Sequence, residues 1–188
     1  MNRTSFPIAL LIITAVLIAG CVNQQSVPPA LYRLEKDGVL YEFSNNIYDS
    51  LKIPITDKDR IYEKLIMPNR VWMLFSADDN ASAVAVAAAS ITAKVQYYNS
   101  YSLAKMIVFG TYELTNQSGE NNLTVDELNG TLIEVRGPML ANETSVSLEG
   151  GIIVVQGTNY TQLSMAADRL TLVLFENELH ALNVTIPE

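Results

Sequence analysis

The chain has 188 residues, with 12 Lys and Arg against 20 Asp and Glu, and a formal net charge of −8. Phosphate groups would repel such an acidic chain, so nucleic acid is excluded as an expected partner. Charged residues make up only 17% of the chain, below the usual quarter, so another polar group is expected to keep the surface hydrated.

The first twenty residues have the order of an export signal. Arg3 supplies a positive charge, an apolar run extends from Ile8 to Ala19, and small residues precede Cys21. The run is shorter than the roughly 20 residues that a membrane-spanning helix needs. The sequence therefore predicts three parts: an export signal at 1–20, a polar tether at 21–29 and a single globular domain at 30–188.

The end of this signal, Ile18-Ala19-Gly20-Cys21, resembles the lipobox of prokaryotic lipoproteins. The resemblance covers only about the first twenty residues, and it implies that Cys21 is lipidated and becomes the new N-terminus. Cys21 is also the only cysteine, so no disulfide framework competes for it. Stable anchoring implies more than one lipid chain on that residue. An uncleaved signal anchor and a soluble protein released by a general signal peptidase are the alternatives.

Acceptor triplets for N-glycosylation, Asn-x-Ser/Thr, are frequent after the signal. The 14 asparagines and 23 serines and threonines of residues 21–188 would form about two triplets by chance. Seven are present, at Asn80, Asn116, Asn122, Asn129, Asn142, Asn159 and Asn183. We therefore expect a glycosylated chain on the outer face of the cell membrane. Together with the lipobox, the triplets favour an archaeal source over a bacterial one.

The folded part opens with a hairpin signal and a helix. Two strand-like runs flank Asp37-Gly38, a dipeptide that accommodates positive φ at both positions of a tight turn. Thr56 is expected to cap a helix that buries Ile61 and Leu65 and ends at Pro68.

A strand–helix–strand unit follows. Residues 71–75 form the continuous apolar run of a strand covered on both faces. Asp79 or Asn80 is expected to cap an alanine-rich helix, and residues 104–114 are predicted to form the next strand. This order predicts a βαβ unit with parallel strands.

The rest of the chain predicts further strands and one long helix. Residues 115–130 are polar and predict an exposed excursion, followed by a strand at 131–135 and two strands within 145–156 separated at Gly150-Gly151. A helix is expected from 160 to about 175, with a strand as the alternative at its end, and a short tail strand at 181–186. The predicted fold class is α/β: a mixed sheet with at least one βαβ unit, helices packed on it and an N-terminal β-hairpin. An α+β fold is the alternative.

Residues 75–92 and 154–171 align without gaps. Both combine an apolar strand end, an acceptor triplet at the turn and matched helix positions; the pairs are Val84 with Leu163, Ala87 with Ala166, Ala88 with Ala167, and Ile91 with Leu170. Duplication of a βα unit is one interpretation. The favoured one is that strand-to-helix turns share generic caps and apolar spacing.

No catalytic or cofactor motif is present in the sequence. His180 is the only histidine, no Gly-x-Ser-x-Gly elbow occurs, and no Cys, His or carboxylate set has zinc-site spacing. No glycine-rich phosphate loop occurs either. We therefore expect no cofactor and no metal, and assign no catalytic residue.

Topology suggests one candidate ligand site. Open α/β sheets bind ligands outside the carboxyl ends of their strands. The residues at two such ends are Ser76, Asp78, Asp79, Thr158 and Tyr160. If the two strands are parallel neighbours, Asp78, Asp79 and Thr158 are expected to meet at one rim, whose oxygens would suit a hard cation such as calcium. Helix capping by Asp79 or Asn80 is the favoured alternative.

These features favour a lipid-anchored surface domain with a binding or structural role in the cell envelope. Its expected partners are the membrane, through the N-terminal lipid, and an envelope or surface protein. The alternatives are an extracytoplasmic enzyme that uses two carboxylates on glycans, and a solute-binding lipoprotein that serves a transporter.

Overall fold

The computed structural model describes residues 30–66, 70–98, 106–111 and 130–186, with the backbone alone for 106–111. Within these ranges the chain forms a two-stranded hairpin and a five-stranded mixed sheet with packed helices, which confirms the predicted α/β class. Residues 1–29, with the predicted export signal, Cys21 and the predicted tether, lie outside the described residues, as do Pro68 and residues 115–129 of the predicted polar excursion.

The N-terminal hairpin consists of β1 (Arg33–Lys36) and β2 (Val39–Glu42). Its turn residues have positive φ, 53° at Asp37 and 77° at Gly38, as a two-residue primed turn requires. Tyr41 packs its ring edge-on against Phe175, with centroids 4.6 Å apart. The predicted hairpin is confirmed, and this aromatic contact fixes it to the helical layer.

The main sheet has the strand order β4-β3-β5-β7-β6. The first four strands run parallel, and β6 joins β7 antiparallel at one edge. The turn between β6 and β7 is at Gly150-Gly151, which confirms the predicted separation of the two strands, and both glycines have positive φ. The strands are β3 (Arg70–Phe75), β4 (Met106–Thr111), β5 (Thr131–Arg136), β6 (Ser145–Glu149) and β7 (Ile152–Gln156).

Two long helices and several short ones accompany the sheet. They are α1 (Ile47–Ser50), α2 (Lys58–Ile66), α3 (Ala81–Tyr98), α4 (Tyr160–Leu172), a 3-10 turn (Val173–Phe175) and α5 (Glu176–Ala181). Helix α3 links the parallel neighbours β3 and β4, which confirms the predicted βαβ unit. The end of the long C-terminal helix continues as the 3-10 turn and α5, so the strand considered there is absent.

The predicted cap at Thr56 is wrong. A cap there would make residue 57 the first helical residue, but α2 begins at Lys58. The backbone N–H of Thr56 instead bonds to β6 of the sheet. Thr56 N donates to Val146 O at 3.0 Å, and Val146 N donates to Pro54 O at 2.9 Å. This short pairing holds the chain extended along β6 before the helix can begin.

The predicted tail strand at 181–186 is also wrong. Asn183 adopts φ 57°, and its N–H donates to His180 O at 3.0 Å, while Val184 N donates to Leu179 O at 3.0 Å. These bonds form a Schellman motif that ends α5, with asparagine at the left-handed position. Leu179 and Val184 are both buried and supply the usual apolar contact of that motif.

The core lies between one sheet face and the helices α3 and α4, which pack against each other. Alternate residues of β3, β5 and β7 lie on this face. They are Val71, Met73, Ile133, Val135, Ile153 and Val155. All four residue pairs matched between the two βα segments are buried in this core. The two units therefore use equivalent helix positions, an outcome that duplication and generic packing both predict.

Across the described ranges, we find no helix with the length and apolar character required to cross a membrane.

Candidate functional site

The carboxyl edge of the parallel strands is the candidate site. From β3 the chain passes to β4 on one side, and β5 and β7 lie on the other side, so the strand order reverses between β3 and β5. Open α/β sheets bind ligands at such a reversal, outside the carboxyl ends of the strands. The segment after β3, at residues 76–80, and the segment after β5, at 137–144, meet here.

Asp79 connects these two segments. Its carboxylate accepts hydrogen bonds from the backbone N–H groups of Gly137 and, at 3.2 Å, Met139. It also accepts one from Asn80 N at 2.7 Å. The side chain is buried, and a Cβ at Gly137 would lie 2.7 Å from Asp79 Oδ1. Asp79 therefore holds the two loops together, and its carboxylate has three donors within the protein.

We expect Asp79→Ala to lower the free energy of unfolding by about 2–3 kcal/mol, because it removes charge-assisted hydrogen bonds to buried backbone groups. Asp78 is exposed, and the matched change Asp78→Ala should alter stability by less than about 0.5 kcal/mol. Urea denaturation measures both. Equal stability of the two variants would show that Asp79 does not hold the loops.

The other predicted rim residues lie at this edge but do not form one cluster. Asp78 is exposed, and its N–H donates to Ser76 Oγ at 3.2 Å in a local turn. Thr158 N donates to Thr144 Oγ1 at 3.3 Å, and Tyr160 begins α4 with half of its surface exposed. The strands β3 and β7 are parallel, but β5 lies between them. The condition for a shared Asp78–Asp79–Thr158 rim is therefore not met.

Four of the seven acceptor asparagines lie in described residues, and all four are exposed: Asn80, Asn142, Asn159 and Asn183. Asn80 and Asn159 accept hydrogen bonds from the first turns of α3 and α4, as capping predicts. Asn183 ends α5. The remaining three, Asn116, Asn122 and Asn129, lie outside the described residues.

A charged network on the sheet face opposite α3 was not predicted. Arg136 donates to both carboxylate oxygens of Glu134 at 2.9 Å and lies 3.2 Å from Glu149 Oε2. The hydrogen bond to Glu134 is the main cause that raises the pKa of Arg136. The Glu-x-Arg spacing within a predicted strand is the sequence signal for this pair, because alternate residues of a strand lie on the same face of the sheet. The arginine neutralises the carboxylate it binds.

A second unpredicted cluster lies inside the helical layer. Asp168 is fully buried, lies 3.4 Å from Lys94 Nζ, and accepts hydrogen bonds from Asn45 N and Asn45 Nδ2, both at 2.9 Å. Lys94 also donates to Ser90 Oγ at 2.6 Å. Burial is the main cause that lowers the pKa of Lys94, and Asp168 opposes it. Lys94 follows Ile91 by three residues on the apolar face of α3, which is the sequence signal for a buried charge.

Comparison with models of protein families, with curated proteins and with solved structures finds no match for this chain. The site must therefore be interpreted from its own residues. Within the described part of the chain, no group of three or more His, Cys, Asp or Glu side chains could hold a metal ion.

Proposed function

We propose that this chain is a lipid-anchored domain on the outer face of the cell membrane, with a non-catalytic binding or structural role in the envelope. The observation that carries the proposal is the position of the only cysteine, directly after an apolar signal and just before the folded domain. Leu31 is already fixed, since its carbonyl accepts from Ile47 N at 2.8 Å. Ten residue steps separate Cys21 from Leu31 and reach at most about 35 Å when extended, so a lipid on Cys21 would hold the domain close to the membrane.

Two buried carboxylates of the described domain, Asp79 and Glu134, have structural partners, which fits a non-catalytic role for them. A general acid or base must be able to exchange a proton with a substrate. At the carboxyl edge, Asp79 is buried and its carboxylate is bound by backbone donors. On the other sheet face, both oxygens of Glu134 are bound by Arg136. Asp79 therefore joins two loops, and Glu134 is neutralised by its neighbour on β5.

Mass spectrometry of the chain purified from its native membranes tests the anchor. We expect the N-terminal peptide to begin at Cys21 and to carry the added mass of a lipid. The variant Cys21→Ser should lack that mass and should keep residues 1–20, because the modification that precedes cleavage needs the thiol. Ser26→Ala, a tether change that keeps the cysteine, should behave like the natural chain.

Two results would contradict the anchor. A natural chain that retains residues 1–20 would show an uncleaved signal anchor. A chain that begins at or near Cys21 without added mass would show release by a general signal peptidase. Cross-linking on intact cells then addresses the role, and an envelope component covalently trapped on the natural chain but absent with Cys21→Ser would support it.

A further inference from the structure

Three of the described acceptor asparagines lie at one edge of the sheet. Asn80 follows β3, Asn142 follows β5 and Asn159 follows β7, so each stands in the segment after the carboxyl end of a parallel strand. All three side chains are exposed. Parallel strands end at the same edge of their sheet. Sites separated by up to 79 positions in the sequence therefore share one border of the domain.

Hydrogen bonds join the three segments that carry them. Asp79, next to Asn80, accepts from the backbone of Gly137 and Met139 in the segment that contains Asn142. Thr144, the hydroxyl residue of the Asn142 triplet, accepts from Thr158 N at 3.3 Å. Thr158 directly precedes Asn159. The three acceptor segments thus lie side by side along the carboxyl edge of the sheet, in the order β3, β5 and β7.

The capping geometry leaves the reactive atom of two asparagines available. Asn80 Oδ1 accepts from Ala83 N at 3.1 Å, and Asn159 Oδ1 accepts from Gln162 N at 2.9 Å. N-linked sugar is attached to Nδ2, and the carbonyl oxygen keeps its lone pairs. A sugar on either residue is therefore compatible with its cap, so one side chain can serve the helix and the sugar together.

We propose that Asn80, Asn142 and Asn159 carry N-linked oligosaccharides that form a glycan collar over the carboxyl edge of the sheet. The proposal rests on the proposed function, because only an exported chain meets the transferase and its donor. The donor is an oligosaccharide linked to a lipid phosphate or pyrophosphate. Asparagine Nδ2 bonds to the sugar C1, the C1–O bond to phosphate breaks, the phosphate leaves with the electron pair, and the amide proton passes to a base of the transferase.

The glycan collar has a consequence for binding. Sugars at three points of the rim would cover the edge at which sheets of this class bind small ligands. They would also supply the hydrated polar surface that a chain with only 17% charged residues otherwise lacks. The collar and a ligand site at Ser76, Asp78 and Thr158 exclude each other. Contacts with an envelope partner are then left to the remaining surfaces of the domain.

Peptide mass spectrometry of the chain purified from its native cells is the first test. Peptides that contain Asn80, Asn142 and Asn159 should each carry a sugar mass. Ser82→Ala and Thr161→Ala remove one acceptor hydroxyl each and keep the asparagine caps, so each should lose the sugar at its own site without a change in Tm beyond that of the lost sugar. Asn159→Ala removes sugar and cap together and should lower Tm further than Thr161→Ala does.

Tyrosine nitration is the second test, because two exposed tyrosines lie at opposite ends of the domain. Tyr160, next to Asn159, is 52% exposed, and Tyr97, near the far end of α3, is 61% exposed. In the natural glycosylated chain Tyr160 should be nitrated several-fold more slowly than in the triple variant Ser82→Ala/Asn142→Gln/Thr161→Ala, which lacks the three collar sugars. Nitration of Tyr97 should be equal in both.

Bare peptides at the three sites of a chain that is lipidated and surface-exposed would overturn the collar and leave the proposed function standing. Sugar confined to Asn183 or to the acceptors between β4 and β5 would overturn it as well. Equal nitration of Tyr160 in the two proteins would show that the sugars do not cover the edge. An unlipidated chain in the cytosol would overturn both proposals.

Discussion

Replacing Asp168 with alanine is expected to lower the free energy of unfolding by about 3–5 kcal/mol, because it removes one partner of a buried ion pair. The side chain is fully buried and lies 3.4 Å from Lys94 Nζ. Its loss would leave the buried ammonium of Lys94 without a counterion. It would also leave the two donors of Asn45, N and Nδ2, without the acceptor they now have in Asp168. Urea denaturation of the purified chain measures the change.

Two comparisons separate this cause from a general effect of the mutation. Asp49→Ala breaks an exposed ion pair with Lys52 and should cost less than about 0.5 kcal/mol. The double variant Lys94→Met/Asp168→Asn removes both buried charges and should recover much of the lost stability. If Asp168→Ala is as mild as Asp49→Ala, the buried pair does not contribute to the fold.

The pH dependence gives an independent readout of the same pair. Because burial lowers the pKa of Lys94 from 10.5, the folded chain binds fewer protons than the unfolded chain in the alkaline range. The contribution of this group to stability therefore rises as pH increases from the folded pKa towards 10.5. Asp168 opposes the lowering, so in Asp168→Ala the rise should begin at lower pH.

Gly157→Ala is expected to destabilise the domain by about 3 kcal/mol or more, because a methyl group there collides with backbone. The added Cβ would overlap Leu163 N and Leu163 Cα and would lie 2.8 Å from Gln162 C, all in the first turn of α4. Gly157 N also donates to Arg136 O at 3.2 Å, so the glycine cannot move away without breaking a contact with β5. Thermal and urea denaturation measure the loss.

The control for this change is Gly150→Ala, at the turn between β6 and β7. A Cβ at Gly150 meets nothing within 4 Å, and the only cost arises from its φ of 56°. That cost should be about 1–2 kcal/mol. A Gly157→Ala variant no less stable than Gly150→Ala would show that α4 can shift away from the strand.

Features encoded by a few adjacent residues were predictable from the sequence. Asp37-Gly38 and Gly150-Gly151 place residues that tolerate positive φ between strand-like runs, and both are turns in the structure. The apolar run at 71–75 is a strand, and the alanine-rich segment after it is the helix α3. Local conformational preference and periodicity were sufficient in each case.

Features that depend on distant residues were not predictable. Asp79 could be described from sequence as a helix cap or a ligand, but its bond to Gly137 joins residues 58 positions apart. The position of β5 between β3 and β7, which separates the predicted rim, is set by packing of the entire sheet. Asn183 forms the left-handed end of α5 where alternating apolar residues predicted a strand, because the preceding helix determines its conformation.

The short pairing of Pro54 and Thr56 with Val146 covers part of the outer edge of β6. An outermost strand normally offers unpaired N–H and C=O groups on which another molecule can extend the sheet, and this is a common route to aggregation. Here two such backbone groups of β6 are already bonded to the chain itself. A chain anchored on a membrane, as proposed for this one, meets neighbouring copies by diffusion in two dimensions. The two occupied groups would disfavour strand-to-strand pairing of such copies through this part of β6.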